Sequence, residues 1–165
     1  DHAGSAARLL PHTRATGAYV HVDDADYIRE GTPAPYTSAV LGMLDRLPGM
    51  GFPACPVERT ITDGEVIPVA GGLQVLHTPG HTPGHVSLLH QSSGVLITGD
   101  SIFNMNRRMT WPFKMACTDF PLNKRTAAVL ADVEYRVAAF THGPHIDSGA
   151  REAVRGFLRR EGVVQ

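Results

Sequence analysis

The stretch HTPGHTPGHVSLLHQSSGVLITGD, residues 77–100, decides the fold and carries the first candidate site residues. Three histidines, His77, His81 and His85, recur at a spacing of four, which on a helix would place them on one face. Two prolines and two glycines lie between them and exclude a helix. The sequence therefore predicts a tight loop that presents the histidines, with a strand-like run on either side.

A further apolar run, residues 94–98, leads directly into Gly99 and Asp100. This pattern predicts a buried strand with a short carboxylate at its end. Histidines on a rigid loop and an aspartate at a strand end are typical of a metal site. The alternative, from this stretch alone, is a set of unrelated surface histidines beside a turn.

Composition limits the classes of protein that this chain can be. Its 165 residues, 42% of them hydrophobic, predict one globular domain over residues 1–165 with a sizeable core. The net charge of −1 and the absence of a basic run argue against nucleic acid and membrane surfaces as partners. Cys55 and Cys117 lie far apart and outside any CxxC motif, which favours buried thiols in a reducing cytosol. We therefore expect a cytoplasmic protein, with a targeting sequence upstream of Asp1 as the open alternative.

The rest of the chain alternates between strand and helix patterns, which indicates an α/β protein. Strands are predicted at residues 18–22, 57–62, 65–69, 73–77 and 135–141, with Asp63-Gly64 and Gly71-Gly72 as hairpin-type turns. Helices are predicted at residues 5–10, 23–29, 37–47 and 122–133, and a last one is expected to be capped by Asp147 or Ser148.

Two segments differ from this pattern. Residues 32–56 are rich in proline and glycine, and we interpret them as an excursion near the site or as a passive loop. Residues 104–120 look irregular and contain cations and aromatics, including Trp111. They are predicted either to contact substrate or to cover the edge of the core.

Candidate metal ligands come from four separate places in the chain: Asp1, His2, His81, Asp100 and His142. Histidine nitrogens with carboxylate oxygens and no thiolate suit zinc, or alternatively iron or manganese. A carboxylate between two sites can bridge two cations about 3.5–4 Å apart, which can hold a hydroxide as nucleophile.

Four motifs carry a family resemblance: Asp1-His2-Ala3-Gly4, TPGHTPGH at residues 78–85, TGDSIF at 98–103 and THGPH at 141–145. In this order they resemble the metallo-β-lactamase-fold hydrolase superfamily, particularly its glyoxalase II-like branch. Its first motif is HxHxDH, and Asp1-His2 is similar to the end of it. The resemblance implies a four-layer αββα sandwich, here without its first strands and without the HxH half. An uncovered sheet edge then predicts self-association, for example as a homo-oligomer.

The resemblance also implies a role for each candidate. His81 would bind the first metal and Asp100 would bridge both metals. Asp1, His2 and His142 would bind the second metal, with Asp1 also orienting the water, so that Asp1 and Asp100 are the catalytic residues. His85 would be a structural residue that fixes the loop.

The activity implied by the resemblance is hydrolysis of a small molecule at an ester, thioester, lactone or lactam carbonyl by a metal-bound hydroxide, with two zinc ions in the intact protein. Only a short helix follows His142, so a single-domain lactonase or thioesterase is favoured over glyoxalase II itself. Two alternatives stay open: a mononuclear iron enzyme similar to persulfide dioxygenases, and a metal-free binding or scaffold protein.

Overall fold

The structure is a computed structural model that describes residues 2–44, 47 and 51–165. It confirms the α/β class. The strands are β1 (Ala18–His21), β2 (Val57–Ile61), β3 (Val66–Ile67), β4 (Leu73–His77), β5 (Val86–His90), β6 (Val95–Ile97), β7 (Phe103–Met105), β8 (Arg108–Thr110) and β9 (Val137–Ala139). The α-helices are α1 (Ala6–Leu9), α2 (Ala25–Glu30), α3 (Ala39–Leu44), α4 (Phe120–Thr126), α5 (Val129–Asp132) and α6 (Ala150–Arg160).

The main sheet has five strands in the order β3-β4-β5-β6-β9. Neighbouring strands are antiparallel from β3 to β6, whereas β6 and β9 are parallel. The predicted Gly71-Gly72 turn joins β3 and β4, and the histidine loop joins β4 and β5. Since β6 and β9 point the same way, the chain leaves both strands at the same edge of the sheet.

The turn predicted at Asp63-Gly64 does not join two paired strands. Instead, β2 pairs in parallel with β1 to form a separate two-stranded sheet. The prediction was wrong here because a turn signal is local, whereas the partner of β2 lies about 40 residues earlier in the chain.

The segment predicted to be irregular contains the hairpin of β7 and β8. Its turn is formed by Asn106 and Arg107, with φ angles of 52° and 62°. Positive φ at both central positions is the type I′ geometry that fits the twist of a hairpin. The pair lacks the glycine that normally marks such a turn, so the sequence did not reveal it.

Two helix predictions also need correction. The helix expected over residues 122–133 is two helices, α4 and α5, and it begins earlier, with Asp119 as the N-cap that accepts from Leu122 N–H. The hydroxyl of Thr126 donates to Pro79 O at 2.7 Å and also approaches carbonyls within α4, a contact typical of a distorted helix end. The last helix begins after Gly149, whose backbone has a left-handed conformation. It lacks the side-chain cap that was expected from Asp147 or Ser148.

The core lies between the main sheet and the helices α5 and α6, around Leu96, Leu130, Val154 and Leu158. Trp111 packs against this cluster, 4.8 Å from the ring centroid of Phe157, and therefore covers the core edge as one of our two interpretations predicted. Within the described ranges, none of the helices has the length and apolar character needed to cross a bilayer.

The predicted excursion of residues 32–56 is held against the segment that follows β8. Thr37 donates from its N–H and its hydroxyl to the carbonyl of Cys117, at 2.7 and 2.6 Å. The helix expected over residues 37–47 begins two residues later than predicted, at Ala39. Residues 45 and 46 of that prediction lie outside the described residues.

Candidate metal centre

The loop between β4 and β5 presents His81. Its ends are joined by the hydrogen bond from Thr78 N–H to His85 O at 2.9 Å, and inside it Gly80 N–H donates to Thr82 O at 2.9 Å. This is the kind of tight loop that two Pro-Gly pairs favour. It confirms the sequence prediction of a loop in place of a helix.

Asp24, at the start of α2, fixes one side of this loop. Its two carboxylate oxygens accept hydrogen bonds from Thr82 Oγ1 at 2.5 Å and from Gly84 N–H at 2.7 Å. Hydrogen bonds to an ionised acceptor are stronger than neutral ones. The carboxylate therefore restrains the residues that immediately follow His81.

The segment leading into α4 fixes the other side. Thr118 N–H donates to His81 O at 3.0 Å, and Asp119 N–H donates to Gly80 O at 2.8 Å. The backbones approach so closely that a Cβ on Gly80 would lie 2.1 Å from Asn123 N. Only glycine fits at residue 80, which also has a φ of +133°.

Asp100 stands at the end of β6, in a 3-10 turn over Gly99–Ser101, and is 4% exposed. His142 follows β9, the parallel neighbour of β6. The hydrogen bond from Thr98 N–H to Ala139 O, 2.9 Å long, joins the two strands just before they end. The sheet thus brings together two residues that are far apart in sequence.

His85 ties Asp100 to the histidine loop. Its Nε2 lies 2.7 Å from the N–H of Asp100 and must accept, so Nδ1 carries the proton and donates to Thr78 O at 3.0 Å. Burial lowers the pKa of His85 to about 4, which keeps the ring neutral. Gly99 is required beside it, because a Cβ there would lie 2.6 Å from His85 Nε2.

The Asp100 carboxylate is surrounded by three histidines. Its Oδ2 lies 3.1 Å from His2 Nε2 and 3.2 Å from His81 Nε2, and its Oδ1 lies 3.6 Å from His142 Nε2. The donor atoms of His2, Asp100 and His142 all lie within 4.8 Å of one another. Thr141 Oγ1 donates to Oδ1 at 2.9 Å and orients the carboxylate.

The surroundings of His81 favour a neutral imidazole. Burial lowers the pKa of His81, nearby His2 and His142 lower it further, and Asp100 opposes this shift. A neutral ring has the lone pair that a metal ligand needs. On the other side of the ring, Cys117 Sγ lies 3.8 Å from Nδ1, and burial raises the pKa of this thiol to about 11, so that it stays protonated at neutral pH.

The structure thus brings four of the five predicted ligands to one place. Asp1, the fifth, lies outside the described residues, so its proposed roles as ligand and water-orienting residue stay predictions. His85 is in the structural position expected of it. The two cysteines are free and buried, as predicted.

Three contributors to the site were not found in the sequence. Thr141 directly precedes His142. Its hydroxyl, next to a candidate ligand in the sequence, was a signal from which its role could have been predicted. Asp24 was interpreted only as a helix cap, because its contacts with the loop span about 60 positions. Phe103, whose ring lies 4.4 Å from that of His142, gave no signal beyond its apolar character.

The donor set fits metal ions. Three imidazoles and one carboxylate with both oxygens directed at them provide the nitrogen and oxygen ligands that zinc, iron and manganese accept. His81 and His2 approach Oδ2 of Asp100, whereas His142 approaches Oδ1, so both carboxylate oxygens are available to cations.

A mixed sheet with a cluster of histidine and aspartate side chains at its edge is the combination expected of a metal-binding α/β protein. The sequence model of the "Metallo-beta-lactamase superfamily" matches residues 1–155. The chain therefore belongs to the metallo-β-lactamase superfamily, as the resemblance of its motifs indicated.

Individual relatives are distant or match short segments. The probable metallo-hydrolase YflN of Bacillus subtilis (strain 168) is 25% identical over 114 residues, which are 65% of this chain and 42% of that protein. An N-acyl homoserine lactonase of a Bacillus species is 54% identical over 44 residues, 25% of this chain and 16% of that protein. The chain thus spans less than half the length of both relatives.

Among solved structures, TTHA1623 in a di-iron-bound form superposes with a TM-score of 0.67 at 23% identity. The match covers 96% of this chain and 72% of that chain. At this level of identity the likeness supports the fold, which is the metallo-β-lactamase fold predicted from the motifs.

Proposed function

We propose that this chain provides the metal centre of a hydrolase that cleaves an ester, thioester, lactone or lactam carbonyl in a small molecule. The observation that carries the proposal is the position of Asp100, whose two oxygens face His2, His81 and His142 at 3.1 to 3.6 Å. A carboxylate whose two oxygens both face imidazoles is suited to bridge two cations.

The residues of the chain have distinct roles in this proposal. His81 would hold the first cation, while His2 and His142, together with Asp1, would hold the second. When bound, the cations supply Lewis acidity that activates water and polarises the carbonyl. Thr141 keeps the Asp100 carboxylate in its orientation, and His85 fixes the backbone of Asp100 to the loop that carries His81.

An apolar groove beside the centre supports a substrate with an apolar substituent. The groove has a volume of about 390 Å³ and is lined by Thr37, Ser38, Phe113, Lys114 and Met115. Two aromatic rings lie between the groove and the centre. The ring centroid of Phe113 is 6.3 Å from that of Phe103, and the ring centroid of Phe103 is 4.4 Å from that of His142. An acyl chain in the groove would place its carbonyl end towards the cluster, which favours an acylated lactone or an acyl thioester.

The metal content of the protein tests the first part of the proposal. We expect about two metal ions per chain that are lost in Asp100→Ala, zinc before iron or manganese, when the protein is purified without added metal and analysed by elemental mass spectrometry. Iron as the single bound metal would favour the persulfide dioxygenase alternative. No bound metal, even after incubation with zinc, would contradict a metal centre in this chain.

Turnover tests the second part. We expect hydrolysis of at least one member of a panel containing an acylated homoserine lactone, an acyl thioester, a p-nitrophenyl ester and a β-lactam. Asp100→Ala should abolish it, whereas His12→Gln, at an exposed histidine in a 3-10 turn, should retain it. Zinc-loaded protein that hydrolyses none of these compounds would favour the scaffold alternative.

A further inference from the structure

A second group of metal-type donors lies at the start of the histidine loop. It consists of His21 at the end of β1, Asp23 in the following turn and His77 at the end of β4. Their donor atoms all lie within 4.8 Å of one another. Asp23 Oδ2 is 3.6 Å from His21 Nδ1 and 4.0 Å from His77 Nε2.

A backbone oxygen completes this group. The carbonyl of Pro83 accepts a hydrogen bond from His77 Nε2–H at 3.0 Å. An ion bound between these two atoms would take the place of this proton, which the neutral ring can carry on Nδ1 instead. Two ligands of one tetrahedral zinc ion are about 3.4 Å apart, as follows from metal–ligand distances near 2.1 Å. The separations of 3.0, 3.6 and 4.0 Å lie within about 0.6 Å of this value.

The group is open to an ion. His21 Nδ1 accepts from the N–H of Asp23 at 3.3 Å, so this nitrogen carries a lone pair, and a bound ion would replace this long hydrogen bond. The side chain of Asp23 is 51% exposed and gives an ion access from solvent.

We propose that His21, Asp23, His77 and the Pro83 carbonyl form a second site for a zinc-like divalent cation, separate from the Asp100 centre. His77 precedes the histidine loop and Pro83 lies inside it. One ion held by both would close the base of the loop that carries His81. The two imidazole rings, now stacked at 3.9 Å with planes 16° apart, would tilt towards Asp23 on binding.

This site can be tested whether or not the proposed hydrolase activity exists. Metal-stripped protein is titrated with zinc chloride, and the bound ions are counted by equilibrium dialysis and elemental mass spectrometry. We expect Asp23→Asn to lower the number of tightly bound zinc ions by one relative to the unaltered chain. Asp26→Asn, at an exposed aspartate in α2, is the matched control and should change nothing.

A second variant background isolates the site. In an Asp100→Ala chain, which lacks the bridging carboxylate, one zinc ion should still bind, and His77→Gln should weaken its binding at least tenfold. Zinc should raise the melting temperature of the Asp100→Ala chain, and this rise should disappear when His77→Gln is added. If the Asp100→Ala chain binds no zinc, or if neither Asp23→Asn nor His77→Gln alters zinc binding, the group is only a hydrogen-bonded anchor of the loop and the proposal fails.

Discussion

The imidazole of His85 and the backbone N–H of Asp100 are joined by a hydrogen bond of 2.7 Å, in which the ring is the acceptor. A protonated His85 has no lone pair at Nε2 and cannot make this bond. The position of the Asp100 carboxylate therefore depends on a neutral ring fifteen residues earlier in the chain.

This dependence predicts that acid destabilises the fold through His85. Its pKa is about 4 in the folded chain and near its ordinary value of 6.5 after unfolding. Between these values the unfolded chain binds more protons, so the contribution of His85 to stability is complete above pH 6.5 and is lost as the pH falls towards 4. Unfolding by urea in the presence of a chelator should show this loss.

The matching variant is His85→Gln, whose side-chain oxygen can accept from Asp100 N–H without titrating. We expect a flatter dependence of the free energy of unfolding on pH between 6.5 and 4. His145→Gln, at an exposed histidine, should leave the slope as it is. A slope that is the same in all three proteins would show that His85 does not control it.

Asp24 should influence metal binding although it does not contact the metal centre. Asp24→Asn leaves only one of the two acceptors that hold Thr82 and Gly84. Residues that position a ligand in this way typically contribute 10- to 100-fold to metal affinity, so we expect zinc binding at the Asp100 centre to weaken by about tenfold. Competition with a chromogenic chelator measures the change.

Asp26→Asn, on the same helix, is the control for that experiment. Asp26 forms an exposed ion pair with Arg29 and has no contact with the loop among the hydrogen bonds of the described residues. An equal loss of affinity in both variants would contradict a specific role for Asp24.

The close contact at Gly80 makes it intolerant of any side chain. Gly80→Ala would place a methyl group against the backbone of Asn123 and would also strain the positive φ. We expect the free energy of unfolding to fall by about 3 kcal/mol or more. Gly42→Ala, in α3, meets no atom within 4 Å and should be neutral or slightly stabilising. Urea unfolding of both variants tests the contrast.

Phe113 should affect selectivity for substrate length. Its side chain is 65% exposed and lines the apolar groove, so Phe113→Ala removes apolar contact without opening the core. We expect KM to rise several-fold for long-chain acyl substrates and to stay nearly constant for an acetylated analogue. Equal changes for both chain lengths would place the acyl chain elsewhere.

Much of the fold follows from local patterns. The strands at residues 73–77 and 86–90, the loop between them and the carboxylate at Asp100 were predictable, because prolines, glycines and apolar runs act within a few residues. The grouping of His81, Asp100 and His142 came from the resemblance of the motifs to a known family. No local pattern specifies which strands end at the same sheet edge.

The remaining features depend on contacts between distant segments. The pairing of β1 with β2, the hydrogen bond from Thr126 at the end of α4 to Pro79, and the hydrogen bonds from Asp24 to the loop each join residues that are not neighbours in sequence. Propensities describe a segment by itself, and tertiary contacts override them. For the same reason, the stacked pair of His21 and His77 could not be foreseen from a sequence in which 55 residues separate them.

The parallel pairing of β6 and β9 has a consequence for how the centre can be monitored. The amide of Thr98, two residues before Asp100, bonds to the carbonyl of Ala139, three residues before His142. Its hydrogen exchange with solvent therefore requires the two strands to separate, and this separation also pulls the ligands apart. Deuterium uptake at this single amide would report the opening of the metal centre in any variant of the chain, without a substrate or a metal probe.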